Sequence, residues 1–278
     1  MMTDRQRDGL HGSVKSVTTV SCERARRFGR WVESERELQE SAVYDEAGSL
    51  VERTFYGPDG VPLTRYVFTI DEHGRRVTSE VSSADGVVLE TAAYEYSPEG
   101  VLIVDSITDG RRPDGVAYRH DVGVVRDRQV VTRSRATGVE GRKEILTCDM
   151  SGNPVRLDIL NTDGTVDHHW IFGYNRSGQR TSEISYWSDG SFRTKELRRY
   201  NDHGDEYKVT VYAQDGSLEM KWAYTYRHDA ALNWIRRVAH VRSREYGTWH
   251  YRAVGAEYRT IEYWPQVTES IVPTPALV

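Results

Sequence analysis

Apolar and polar residues alternate along most of the chain with the two-residue period of a β-strand. In SLEMKWAYTY, Leu218, Met220, Trp222, Tyr224 and Tyr226 share one parity, while Glu219, Lys221 and Thr225 take the other. TVDHHWIFGY repeats the arrangement with Val166, Trp170, Phe172 and Tyr174. The stretches between them carry Val155, Leu157 and Ile159, or Tyr207, Val209 and Val211, at the complementary parity. This pattern predicts a sheet with one apolar, ring-rich face, burying Trp170, Phe172, Trp222 and Tyr224, and one charged face. Only ERARRFGRWVESERELQE has a helical alternative, and it also fits a hairpin with a loop.

Two turn signatures punctuate the alternation. YDEAG, YSPEG, YNRSG and YNDHG place Asp, Asn or Ser at the turn entry, and GPDGV, SADGV, NTDGT, WSDGS and AQDGS are hairpin signals of the Asp-Gly kind. Gly152, Gly178 and Gly204 end the first class and Gly164, Gly190 and Gly216 the second, so each class recurs every 26 residues. Extended backwards to residue 48 and forwards to 230, this ruler has fifteen slots, of which twelve hold Gly. With 23 Gly in 278 residues, chance would fill about one, so the repeat is real. Subtracting the turns leaves strands of about eight residues, roughly 26 Å long. The fold class is therefore all-β: an antiparallel meander of tandem 26-residue hairpins, with about sixteen to nineteen strands in one large curled sheet. Shell-like, barrel-like and sandwich-like closures all cover the apolar face.

The unbroken phase argues for a single domain over 1–278. Within it, 1–43 reads as a capping hairpin behind a polar, poorly ordered lead (Met1 to Leu10), 44–241 as the repeats, 242–264 as capping strands and 265–278 as a flexible tail. The slots that miss are Arg112, Arg126 and Ala230. The first two fall in an altered repeat, Asp109 to Arg142, whose loops collect arginines, and there a partner's acidic surface is expected to meet Arg111, Arg112, Arg126 and Arg128.

The Tyr-Asp or Tyr-Asn turns, followed twelve residues later by Asp-Gly, resemble YD repeats, the units of rearrangement-hotspot proteins, teneurins and the shells of bacterial toxin complexes. The resemblance runs from about Tyr44 to Tyr226, with Tyr44 and Asp45 matching the pair and Asn at 175 and 201 replacing Asp. It implies long antiparallel strands that spiral into a shell. This chain has far fewer repeats than a toxin-enclosing shell and lacks a match to the self-cleaving segment that closes one. The implied form is a small stand-alone repeat protein with no catalytic residues to carry over. MORN-type repeats also stack short hairpins, but their denser glycine pattern and shorter unit fit less well.

Composition changes this picture little. A hydrophobic fraction of 38%, with seventeen Tyr and seven Trp, suits a thin sheet covered by rings. A net charge of −5 with both signs interspersed exerts no global pull on nucleic acid or an anionic membrane. The charged start and the lack of a long apolar run predict a cytoplasmic protein, export by another route aside. Cys22 and Cys148 are too few for a disulfide framework or a zinc site. His168 and His169 are adjacent on a strand and so face opposite sides. The aspartates at 59, 85, 163, 189 and 215 each belong to a turn and need no calcium to explain them. No nucleophile elbow, P-loop, dinucleotide fingerprint or zinc-protease helix is present. The expectation is a non-enzymatic binding protein without a cofactor that engages another protein. An immunity role against a neighbouring toxin and a carbohydrate-binding module are the alternatives.

Overall fold

The computed structural model describes residues 3–96, 102–109, 116–125, 128–135, 143–149, 151–245 and 248–265, with the backbone alone for 102–109, 116–125, 128–135, 243–245 and 248–250. A one-turn helix, α1 (Asp4–Arg7), precedes the strands β1 (Val14–Arg27), β2 (Arg30–Glu33), β3 (Glu37–Tyr44), β4 (Leu50–Tyr56), β5 (Pro62–Ile70) and β6 (Arg76–Ser83). Next come β7 (Val88–Tyr96), β8 (Leu102–Asp109), β9 (Val116–Val125), β10 (Arg128–Arg135), β11 (Lys143–Cys148), β12 (Pro154–Leu160) and β13 (Val166–Tyr174). The series ends with β14 (Arg180–Trp187), β15 (Phe192–Tyr200), β16 (Glu206–Tyr212), β17 (Leu218–His228), β18 (Trp234–Glu245) and β19 (Thr248–Tyr263). All-β architecture and the antiparallel meander are as the alternation predicts.

From β3 to β19 each strand pairs with the next, and the two end strands are not paired with each other. β1 lies between them. Val17 stands opposite Ala42 of β3 on one side and Ile261 of β19 on the other, so the succession of pairings returns to its start in one curled sheet.

The turns explain the ruler. In the first class Asn175 is typical: its N–H donates to the Gln179 carbonyl at 2.9 Å and its carbonyl accepts from the Gly178 N–H at 3.0 Å. Its side-chain Oδ1 accepts from the N–H groups of Ser177 and Gln179 at 3.0 and 2.9 Å. Gly178 sits at φ +77°, where a Cβ is unfavourable, which is why glycine recurs there. The second class makes the same backbone turn, as at Trp187 to Ser191, but its aspartate is the third residue: Asp189 Oδ1 accepts from the Ser191 N–H at 2.8 Å. Each turn ends in a one-residue register shift, such as that between Gly173 and Tyr174.

Where a tyrosine precedes a first-class turn, as at 174, 200 and 226, it also has a physical role. Tyr174 and Tyr200 donate their hydroxyls to the carbonyls of Pro154 (2.6 Å) and Arg180 (2.8 Å), each 20 residues earlier, and Tyr226 donates likewise to Glu206. Every acceptor is the residue that leaves the previous first-class turn. The ladder therefore ties one repeat to the next. Tyr44 has no earlier repeat to bond, and its hydroxyl donates instead to Asp8 at 2.5 Å.

Three expectations need correction. The faces are not segregated into apolar and charged, because Arg198 lies opposite Val209 and Glu183 opposite Phe172, so the ring-rich face also carries charges. Trp170, Phe172, Trp222 and Tyr224 are accordingly half-buried, as a single-layer sheet allows, and none reaches a closed core. The third concerns the lead. Thr3 caps α1, the Arg5 N–H donates to the Gly48 carbonyl at 2.9 Å, Asp4 accepts from the Leu50 N–H at 3.1 Å, and Leu10 is buried. The ruler slips as well. β17 runs eleven residues against nine in β13 and β15, so the turn that should reach its glycine at 230 reaches Leu232 instead, at φ +68°.

Both packed apolar clusters lie where β1 joins the two ends of the meander, here called the seam. One joins Leu10, Val14, Val17, Ala42, Tyr44 and Leu50; the other joins Cys22, Val238, Ala253 and Ala256. Among the described residues, burial elsewhere is scattered and mostly of small side chains such as Ser79, Ala92 and Ser185.

Candidate functional site

Two clefts also lie along the seam. Residues directly opposite one another share a face, so the register builds rows across it. Arg237 faces Glu257, which faces Ser21; Arg259 faces Thr19, which faces Glu40; Ile261 faces Val17, then Ala42, then Arg53. The larger cleft, about 370 Å³, follows the first row and is lined by Ser21, Cys22, Glu23, Ser34, Glu37, Arg237 and Glu257 among others. The smaller, about 160 Å³, follows the other two and is lined by Asp8, Leu10, Thr19, Glu40, Tyr44, Arg53 and Arg259 among others.

Most charges here are paired. Arg53 donates to Asp8 at 2.5 Å and lies 3.0 Å from Glu40, and Arg237 donates to Glu257 at 2.8 Å. Arg259 is different. Its guanidinium stacks 3.6 Å from the centre of the Trp234 ring, its Nε is buried without a hydrogen-bond partner, and no carboxylate among the described residues lies within ion-pair distance. Burial and the like charge of Arg237, only partly offset by Glu40, Tyr44 and Glu257, pull its pKa down to about 10, so it remains a cation at neutral pH. A planar guanidinium fixed against an indole presents donors suited to a carboxylate.

Other chemistry is muted. Burial, reinforced by the Glu33 charge, pushes the Cys22 thiol up, which lowers its thiolate fraction and hence its nucleophilicity. Burial likewise raises the Cys148 thiol. His168 and His169 do face opposite sides: His168 lies against Trp170 (ring centres 4.7 Å apart) and His169 against Tyr186 (5.0 Å). His228 Nε2 lies 2.7 Å from Asp205 Oδ2 and occupies the place before Asp229 that Tyr200 occupies before Asn201.

Of the arginines predicted to meet a partner, Arg111, Arg112 and Arg126 lie outside the described residues. Arg128 opens β10 opposite Val125, and its side chain is outside the description too. Sequence reasoning missed Arg259 and Trp234. The available signal was Arg259 itself, a cation sharing parity with Ile261 on the ring-rich face; Trp234 lies on the neighbouring strand β18, while Thr19, opposite Arg259, comes from β1, more than two hundred residues away in sequence.

No protein-family model matches the chain, and no curated protein matches it. Among solved structures it is similar to a porin-like protein from Bacteroides uniformis ATCC 8492, at 10% identity and a TM-score of 0.32, over 90% of this chain and 96% of that one. A porin-like protein from Bacteroides vulgatus ATCC 8482 gives 10% identity and a TM-score of 0.33, over 91% and 98%. The TcdB2-TccC3-Cdc42 complex gives 12% identity and a TM-score of 0.21, over 82% of this chain and 15% of that one. At such scores none of them bears on what the chain does. No helix among the described residues is long and apolar enough to cross a membrane, which leaves membrane-crossing strands untouched.

Proposed function

We propose that the chain is a non-enzymatic binding protein, related to YD-repeat proteins, that engages another protein across the seam and takes a partner carboxylate on Arg259. The observation that carries this reading is the stacked, unpaired guanidinium at the edge of the smaller cleft. A half-buried cation with no carboxylate in ion-pair contact is costly to the fold, and an incoming carboxylate offsets that cost. An immunity role is the case in which the partner is a toxin.

A protein partner is favoured over a sugar because guanidiniums already lie over the ring faces that a sugar would need. Arg180 covers Phe172, Arg193 covers Trp187, Arg237 covers Tyr224 and Arg259 covers Trp234, at 3.6 to 5.4 Å from the ring centres. Mid-strand charges occur on both faces, with Glu183, Glu196 and Arg198 on one and Arg65, Lys195 and Lys208 on the other. They support a place in water, as in the cytoplasm, rather than a lipid-facing band.

The test is retention on two immobilised panels, one of 12-residue peptides built from Asp, Glu, Leu and Phe and one of oligosaccharides. Peptides should be retained by the wild type and at least tenfold less by Arg259→Gln, with no fall in melting temperature, since the substitution removes a buried charge that has no ion-pair partner. Preferential retention on oligosaccharides, or turnover of an ester, glycoside or phosphate that a point change abolishes, overturns the reading.

A further inference from the structure

At the rim of the larger cleft, ten residues break three local rules at once. β1 pairs with β19 as far as Glu23 and with β3 as far as Ser21; beyond that it leaves the main sheet, and Arg24 to Arg27 pair only with β2. The resulting hairpin, 24–33, turns through Phe28 and Gly29 at φ +49° and +77°. Two successive left-handed residues between paired strand ends make the tight turn that normally takes Asn-Gly or Asp-Gly. In the described glycine-ended turns of the array the glycine alone takes a positive φ, whereas this one also holds a phenylalanine in the strained left-handed region with its ring wholly exposed. Trp31 and Val32 beside it are exposed as well. Arg27 and Arg30 stand directly opposite each other, a like-charge pair that destabilises a hairpin.

The base of the hairpin, by contrast, is held firmly. Glu33 accepts from the Tyr258 hydroxyl at 2.6 Å and from Arg236 at 3.2 Å and lies 3.2 Å from Arg24, while Arg36 stacks 3.7 Å from the centre of the Tyr258 ring. Ser34 closes the base, donating its N–H to the Glu23 carbonyl and accepting the Glu23 N–H on its hydroxyl, both at 3.0 Å. Glu23 and Ser34 also line the larger cleft, so whatever occupies that cleft meets the hairpin. A fixed base carrying a strained apolar tip and unneutralised arginines is a local conflict that nothing within the described chain resolves.

We propose that hairpin 24–33 is an interaction surface for a segment of another protein that carries acidic and apolar side chains side by side. The segment passes over the tip of the hairpin: Phe28 and Trp31 take the apolar groups, Arg26 takes a carboxylate on Trp31's face, and Arg27 and Arg30, a facing pair on the other face, take another. This rests on the interaction-protein reading above and names a second contact for it. Phosphate-rich partners fit less well: three arginines, of which Arg26 already donates its Nε to the Gly29 carbonyl at 3.4 Å, on a chain of net charge −5 give a small electrostatic footprint, whereas exposed aromatic and arginine side chains are the usual anchors of protein interfaces.

The experiment uses the full chain, the same peptide panel, phosphatidylserine vesicles and double-stranded DNA. Phe28→Gly relieves the strained φ, so its melting temperature should equal or exceed that of the wild type while peptide retention falls at least tenfold. Arg27→Glu with Arg30→Glu should lower retention similarly. Retention unchanged in Phe28→Gly but lost in Arg259→Gln overturns the hairpin and leaves the cleft standing. No peptide retained by the wild type overturns both, and preferential binding to vesicles or DNA overturns the assignment to a protein segment.

Discussion

The regular array from β12 to β17 and the seam at β18, β19, β1 and β3 are parts of one sheet held together in different ways. In the array each turn is satisfied by its own five residues, and each repeat is tied to the last by a tyrosine hydroxyl acting across 20 residues. Such units interact with nearest neighbours only. In the seam the bonds join the chain's two ends: Asn233, 1% exposed, accepts from the His11 N–H at 2.7 Å across 222 residues and donates to the His11 carbonyl at 2.9 Å. The apolar clusters, both clefts and the hairpin are here too. Regular repeats thus supply the frame, and departures from the repeat concentrate where long-range closure positions unusual groups.

The largest test of this contrast is Leu10→Ala. It removes a buried side chain from the seam's core, so a loss of about 3 kcal/mol in chemical denaturation is expected. A loss as small as that of an exposed array position would put the core elsewhere. A smaller test inverts sign between the regions. Gly178→Ala in the array meets open backbone space apart from Asn153 Oδ1 at 4.0 Å, so its cost is conformational, about 1 kcal/mol. Leu232→Gly at the seam occupies the same turn position at φ +68° and should gain up to about 1 kcal/mol, reduced by the greater freedom of glycine in the unfolded chain. Equal signs for the two would show that the turns are not equivalent.

The smallest effect concerns acid. Asp71 is held below the usual carboxylate range chiefly by the Arg75 N–H, against some desolvation, with the Arg75 guanidinium and the His73 N–H adding to it. Its folded pKa is therefore below its unfolded value near 4, and between the two the unfolded chain binds more protons. The stabilisation is complete above about pH 4 and is lost as pH falls through the folded value. Asn175 and Asn201 accept equivalent turn bonds without titrating. Asp71→Asn should therefore make the fall of melting temperature between pH 5 and 2.5 shallower, leaving it nearly unchanged at pH 7. An unchanged acid slope would show that this turn carboxylate does not contribute.

The chain's own sequence determined the all-β class, the phase of the turns, the strand lengths and the face on which Trp170 and Trp222 lie, because these depend on contacts within a hairpin or between adjacent repeats. The turn chemistry of Asn175 and Asp189 was legible for the same reason. Tertiary structure alone decided that β1 would bridge β3 and β19, that the lead would fold through Asp8 onto Tyr44 and Arg53, and that Arg259 would stack on Trp234 without an ion-pair partner among the described residues. It also set Arg and Glu among the rings, since which residue stands opposite Phe172 depends on a register shift at the strand end. Local patterns fix which way each side chain points along its own strand. Which groups meet across the seam is fixed by pairing outside the repeat, including that of β1 with β19 more than two hundred residues on, and no periodicity in the sequence encodes that pairing.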